Sequence, residues 1–293
     1  MSIFEGSATA LITPFTDSGV DYGRLKAMLD FQIGNGTDAL LICGTTGEPA
    51  TMTADERKKT LETAIEYVNG RVPVIAGAGA NNTKTAVEWS LYSKQAGADA
   101  LLHVTPYYNK CSDEGLYRHY MTIADSTDLP VIAYNVPSRT GVNMKAEVLA
   151  RLAEHENIAA MKEASGDISH TAKMMALCGD RVDFYSGNDD QTIPIMSLGG
   201  KGVISVLSNV MPKEVHEMAK AYLDGDTKRA AKMQLCLKPI MDAMFMATNP
   251  IPVKTALLLM GLDSGILRLP LCEMSGQETE KLSAVMQKYD LLK

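Results

Sequence analysis

The 293-residue chain lacks most of the signatures of a specialised class. Its five cysteines (Cys43, Cys111, Cys178, Cys236, Cys272) form no CxxC pair and no dense framework. An odd, sparse set suits a reducing compartment and excludes a disulfide scaffold. No stretch approaches the roughly 18 uninterrupted apolar residues of a membrane span. The opening MSIFEGSATALITPF has neither the basic lead nor the apolar run of a secretory signal. No large lysine/arginine cluster interrupts the charge pattern, and 28 of these residues against 35 acidic ones leave a net charge of −7, which argues against a nucleic-acid surface. The five histidines (His103, His119, His155, His170, His216) show neither HExxH nor paired spacing and have no cysteine beside them, so no metal site is expected. A soluble, cytoplasmic protein without membrane or nucleic-acid partners is expected.

What is present is an ordinary globular composition, 46% hydrophobic and 22% charged. The length fits two domains or one large α/β barrel with an appendage. Short apolar runs recur and end in small or polar residues: SATALI from Ser7, DALLICG from Asp38, VPVIAGAG from Val72 and ADALLHVTP from Ala98, then PVIAYNVP from Pro130, NIAAMKEAS from Asn157, VDFYSGND from Val182 and KGVISVLSN from Lys201. Their centres lie between 19 residues (Tyr185 to Ile204) and 33 residues (Ile42 to Ile75) apart. A strand, a helix and two loops take about 30 residues, so eight such units predict a (β/α)8 TIM barrel. An open doubly wound sheet is the rival, but no G-x-G-x-x-G follows the first strand. Helices are expected over Asp21 to Ile33, from a Thr53–Glu56 capping box, over Thr83 to Ala96 closed by Gly97, and over Glu114 to Ala124 and Lys145 to Ala153. After Asp224 the strand signal stops. Residues 1–224 read as a catalytic barrel and 225–293 as a helical appendage. In that appendage Pro239 kinks or breaks a helix over Thr227 to Phe245, a second run ends at Met260 and Leu262, and a last one covers Gly276 to Tyr289.

Barrel active sites form at the carboxyl ends of the strands. Those ends carry Thr45 and Thr46, Asn81, Tyr107 and Tyr108, Tyr134, Lys162, Gly187 and Ile204. Lys162 stands out because it closes an apolar run. It reads either as a solvated strand-end lysine or as an amine desolvated in the barrel mouth, neutral near pH 7 and able to form a Schiff base with a ketone. The Gly44–Glu48 turn, GTTGE, allows close backbone approach to an anion, while the Walker spacing of a phosphate loop is absent. Tyr134 and the threonine hydroxyls are suited to proton transfer. Arg139 is a fork for a carboxylate, or else an ordinary turn arginine. His103, inside a strand, reads as a satisfied barrel residue.

Taken in order, GTTGE (Gly44–Glu48), TPYYN (Thr105–Asn109), YNVPSRTG (Tyr134–Gly141), KEASGD (Lys162–Asp167), GGKGVISVLSN (Gly199–Asn209) and NPIPVK (Asn249–Lys254) carry a resemblance over essentially the whole chain. The sequence resembles the 4-hydroxy-tetrahydrodipicolinate (dihydrodipicolinate) synthase family, in the N-acetylneuraminate lyase superfamily of class I pyruvate-dependent aldolases. The resemblance implies a lyase of diaminopimelate and L-lysine biosynthesis that condenses pyruvate with L-aspartate 4-semialdehyde through a Schiff base on Lys162, with no cofactor. It implies Tyr134 as proton donor and acceptor, and Thr45 linking Tyr134 to a Tyr108 that reaches in from an adjacent subunit of a homotetramer. It also implies pyruvate held by Thr46 and the Ile204 backbone, and the semialdehyde by Arg139 beside Gly187. N-acetylneuraminate lyases and 2-keto-3-deoxy sugar-acid aldolases are the competing reading. They carry GSTGE and lack the PSRTG arginine, so Thr45 and Arg139 discriminate. A non-catalytic pyruvate-binding homologue would have lost Lys162 or Tyr134.

Lysine-inhibited members of the family bind the effector at a subunit interface. The matching positions here are Pro49, Ala50, Ala54, Arg57, Asn81, Thr85 and Tyr107, of which only Ala50, Asn81 and Tyr107 keep the pattern. Thr85 supplies no carboxylate and Arg57 repels a cation, so weak or absent inhibition by lysine is expected. Glu88, one turn beyond Thr85, is the residue that could substitute.

Overall fold

The computed structural model describes residues 2–292; the outer ends of the two expected regions, residues 1 and 293, lie outside the described residues. Each expected apolar run contains a strand: β1 (Gly6–Ala10), β2 (Ala39–Ile42), β3 (Val74–Gly77), β4 (Ala100–Val104), β5 (Val131–Asn135), β6 (Ile158–Glu163), β7 (Asp183–Ser186) and β8 (Gly202–Ser205). They pair in parallel with their sequence neighbours, and β1 pairs with both β2 and β8, closing the barrel.

Strand side chains alternate between two faces, and both faces are buried here. One set, including Ala8, Leu41, Ile75, Leu102, Ile132 and Ile204, fills the barrel interior. The other set, including Leu40, Val74, Leu101, Val131, Met161 and Phe184, packs under the helices. Phe4 stacks on Tyr185 with ring centroids 4.2 Å apart and belongs to the interior cluster.

Helices α1 (Tyr22–Gly34), α2 (Ala54–Val68), α3 (Thr83–Ala96) and α4 (Asp113–Asp125) follow the first four strands. After β5 come the single turn α5 (Pro137–Thr140) and α6 (Ala146–Leu152); α7 (Ile168–Cys178), α8 (Thr192–Ser197) and α9 (Pro212–Leu223) complete the ring. Local chemistry sets their ends. Asp21 caps α1, Thr53 and Glu56 form the reciprocal box of α2, and Gly97 closes α3 at φ 93°.

Three helices follow: α10 (Thr227–Ala243), α11 (Ile251–Leu259) and α12 (Gly276–Gln287). The expected alternative of a break at Pro239 is not realised, because α10 runs through it. Proline deprives the carbonyl four residues back of its donor. That residue is Leu235, which is 75% exposed and leaves its surroundings open to water. The second run stops at Leu259, short of Met260 and Leu262, because Gly261 at φ 74° turns the chain and sends the Leu262 amide back to the Leu257 carbonyl. Among the described residues no helix is long and apolar enough to cross a membrane.

Candidate active site

Strand β6 delivers Lys162. Its neighbours Met161 and Glu163 point outward, Met161 into the helix layer and Glu163 to Asn135 Nδ2 at 2.9 Å, whereas Lys162 shares the inward face with Ala160. Only 5% of Lys162 is exposed. Burial pushes its ammonium down from the ordinary lysine range to about 7; Asp189 opposes that shift and Arg139 adds to it. The solvated reading of this lysine therefore fails, and the amine is half neutral near pH 7.

Tyr134 on β5 is the register partner of Lys162, and the Lys162 Nζ lies 4.5 Å from the centroid of its ring. Burial pushes the phenol up to about 12, opposed by the Arg139 charge and by a hydrogen bond with Thr45. Its proton is thus held throughout the neutral range. Across the other edge of β6, Gly187 follows β7. A Cβ there would stand 2.8 Å from the Ala164 Cβ and 3.0 Å from the Lys162 Cε, so a side chain at 187 would displace the lysine.

Thr45 and Thr46 sit in a tight turn, Thr45–Gly47, directly after β2. Together with Tyr134, Arg139, Lys162 and Gly187 they line a cavity of about 150 Å³. Thr45, Tyr134 and Arg139 also line a larger cavity of about 390 Å³ alongside. Arg139 is exposed in α5, with Nη2 donating to the Asn249 carbonyl at 3.2 Å. Ile204 is fully buried in the interior and paired in register with Ala8. Tyr108 is not brought in: it lines neither cavity, is 84% exposed, and is held at φ 70°, a left-handed conformation that a bulky residue adopts at a cost.

Of the positions matched to the effector site, Pro49, Ala50, Arg57 and Tyr107 line the larger cavity, whereas Ala54, Asn81 and Thr85 do not. Asn81 Nδ2 donates to the Tyr107 carbonyl at 3.2 Å. Arg57 is occupied, its guanidinium stacked 3.8 Å from the Trp89 ring centroid and donating to the Gly77 carbonyl at 2.5 Å. Glu88 is exposed, 4.0 Å from Lys84.

Four further residues shape the site, and sequence reasoning did not single them out. Asp189 is buried; it accepts from the Ser205 hydroxyl and from the amides of Val206 at 3.1 Å and Leu207 at 3.0 Å, fixing the backbone that leaves Ile204. Its only sequence signal is its place just beyond a strand end. Asn249 is buried beside both cavities; its Nδ2 donates to Thr46 Oγ1 at 2.9 Å, while its Oδ1 has no partner among the described residues. Glu48 and Lys254 form an ion pair of 2.8 Å with both side chains at or below 1% exposure. These last three residues lie inside the GTTGE and NPIPVK motifs, which marked segments but no roles. His103 is only half satisfied: Nε2 meets the Ser90 hydroxyl at 3.0 Å, and among the described residues Nδ1 has no partner.

Comparison with known proteins gives the family and the fold. The model of the dihydrodipicolinate synthetase family matches residues 3–289. A 4-hydroxy-tetrahydrodipicolinate synthase from a Thermoanaerobacter species is 53% identical over 294 residues, 100% of this chain and 99% of the relative. 4-Hydroxy-tetrahydrodipicolinate synthase 1 of Clostridium acetobutylicum is 51% identical over all of both chains. The crystal structure of a dihydrodipicolinate synthase from Thermotoga maritima superimposes with a TM-score of 0.97 at 42% identity, covering 99% of this chain and 100% of that one.

Proposed function

The chain belongs to the dihydrodipicolinate synthetase family, and from that premise we propose the part each residue plays in its reaction. The enzyme condenses pyruvate with L-aspartate 4-semialdehyde to 4-hydroxy-tetrahydrodipicolinate, the committed step toward diaminopimelate and L-lysine, with a lysine Schiff base and no external cofactor. The sugar-acid aldolase reading is not favoured.

The observation that carries the assignment is Lys162, a buried amine with its pKa near 7 beside a protonated Tyr134. Neutral Nζ attacks the keto carbon of pyruvate, water leaves, and the iminium loses a methyl proton to become an enamine. The enamine carbon then bonds to the aldehyde carbon of the second substrate, whose oxygen takes a proton from Tyr134 through the path that Thr45 continues. Attack of the substrate amine on the iminium carbon closes the ring and expels Lys162. Thr46 and the Ile204 backbone hold the pyruvate carboxylate, and Arg139 grips that of the semialdehyde beside Gly187. The free Oδ1 of Asn249 leaves an acceptor for the substrate amine.

Residues 1–224 form the catalytic barrel and 225–293 its helical region. Function belongs to a homotetramer in which Tyr108 crosses the tight interface to complete the proton path. The exposed, left-handed Tyr108 supports this, since its ring projects from its own chain into open space. The compartment is the cytoplasm.

Pyruvate consumption with and without L-aspartate semialdehyde, for the wild type and Lys162→Ala, tests the reading. Aldehyde-dependent turnover is expected and should vanish in the variant. A Lys162→Ala protein that still turns over would overturn it, and so would a wild type silent with this aldehyde.

A further inference from the structure

The Glu48–Lys254 pair is costly to bury, and its two members are 206 residues apart in sequence. Both side chains are enclosed, with Lys254 at 0% and Glu48 at 1% exposure. A buried ion pair is a poor source of stability, because desolvation offsets the attraction between the charges. Its location is informative. Glu48 ends the turn that carries Thr45 and Thr46: its amide donates to the Thr45 carbonyl at 3.2 Å, and its backbone is left-handed at φ 54°, a conformation that something must hold in a residue with a side chain. Lys254, in α11, also donates to the Thr13 carbonyl at 3.0 Å, while the Thr13 hydroxyl donates to the Gly47 carbonyl at 2.7 Å. The ammonium sits 4.3 Å from the Phe15 ring centroid. The other carboxylate oxygen of Glu48 receives the Arg268 amide at 3.4 Å. At the start of the same segment, Asn249 holds the Thr46 hydroxyl.

We propose that Glu48 and Lys254 are a positioning pair that clamps the Thr45–Thr46 turn at the angle the proton path and the pyruvate carboxylate require. Neither residue lines the cavity that holds Lys162, and Glu48 borders only the larger one alongside. Lys254 lines neither cavity and acts only through Glu48 and the Thr13 carbonyl. The C-terminal helices are thereby part of the active site's mechanics: α11 reaches across the barrel mouth and grips the turn from the Glu48 side, and the Asn249 segment just before it grips Thr46. The clamp rests on the roles given above to Thr45 and Thr46.

Two variants test it against wild type and Lys162→Ala controls. Glu48→Gln/Lys254→Met removes both charges at nearly constant volume, and Glu48→Asp keeps the charges but shortens the bridge by one methylene. Melting temperature, borohydride trapping of the pyruvate adduct and steady-state kinetics are the readouts. The expected double variant melts within a few degrees of wild type and still traps pyruvate on Lys162. Its kcat with the aldehyde falls at least tenfold, and its KM for pyruvate rises. Glu48→Asp should show a smaller loss of the same kind. A stable variant of either type with wild-type kcat and KM overturns the clamp while leaving the condensation intact. If neither variant folds, the clamp is also overturned, since the pair then holds the fold and not the turn. An inactive wild type would instead count against the reading of the reaction.

Discussion

Lys162 and Tyr134 are paired in register on adjacent parallel strands, with the ammonium 4.5 Å from the ring centroid. The same burial moves their protonation equilibria in opposite directions, down to about 7 for the amine and up to about 12 for the phenol. Near neutral pH one therefore has an accessible free nucleophile while the other keeps its proton. That separation is what a nucleophile and a proton donor working side by side need.

Replacing Lys162 should trade function for stability. A drop from 10.5 to about 7 means that the folded state carries a penalty on the order of 4 kcal/mol at pH 7. Lys162→Met should abolish turnover and raise the melting temperature by several degrees at pH 7. Calorimetry of the two proteins checks this, and an unchanged or lower melting temperature would contradict the burial of a charge.

The pH dependence follows from the same shift. Only neutral Lys162 attacks pyruvate, so the rate of imine formation should rise about tenfold per unit below pH 7 and level off above it, since Tyr134 keeps its proton there. Stopped-flow trapping from about pH 5.5 to about 9, which brackets the Lys162 value of about 7, would report it. A plateau reached only near pH 10 would mean an unperturbed lysine.

Arg139 should affect chiefly the second substrate, since burial and not this arginine is the main cause of the low Lys162 pKa. Charge-assisted hydrogen bonds contribute about 1.5–3 kcal/mol, so Arg139→Ala should lower kcat/KM for the semialdehyde by about 10- to 100-fold. Borohydride trapping of pyruvate should be little changed. Equal loss for both substrates would place the arginine in pyruvate binding or in the turn it shares with Asn249.

The buried histidines impose an acid limit. Desolvation pushes His103 down to about 3 and His119 down to about 4. Below about pH 6.5 the unfolded chain takes up these protons while the folded chain does not, so stability should fall as pH drops from there toward the folded values. Denaturant melts at stepped pH would give the slope, and His103→Leu should remove its share of it. A variant with the full wild-type slope would acquit this histidine.

L-Lysine should inhibit weakly or not at all. Arg57 is stacked on Trp89 beside the larger cavity and repels a cation, and Thr85 offers no carboxylate. Titration of lysine into the assay checks this. Half-inhibition at submillimolar lysine would show that another residue, Glu88 first, supplies the missing charge.

The barrel was legible in the sequence because each strand is a short apolar run closed by a turn residue, and helix ends are written in local caps such as Thr53–Glu56 and Gly97. Lys162 was legible for a related reason: a charge at the end of an apolar run either escapes to water or is held for chemistry. Of the kink and the break that the sequence left open at Pro239, the break is not realised, because the cost of a lost hydrogen bond depends on whether the freed carbonyl is near solvent, and that is a property of packing.

Composition and period thus determined the eight-stranded alternation and singled out Lys162, at a strand end, as the candidate amine. Tertiary structure alone decided that Tyr134 stands in register with Lys162, that Asp189 fixes the backbone after Ile204, and that Asn249 and Lys254 return to hold Thr46 and Glu48 from about 200 residues away. The difference is physical. Periodicity and capping are encoded within a few neighbouring residues, whereas depressed pKa values, orphaned acceptors and buried ion pairs exist only once distant segments have excluded water from a shared space.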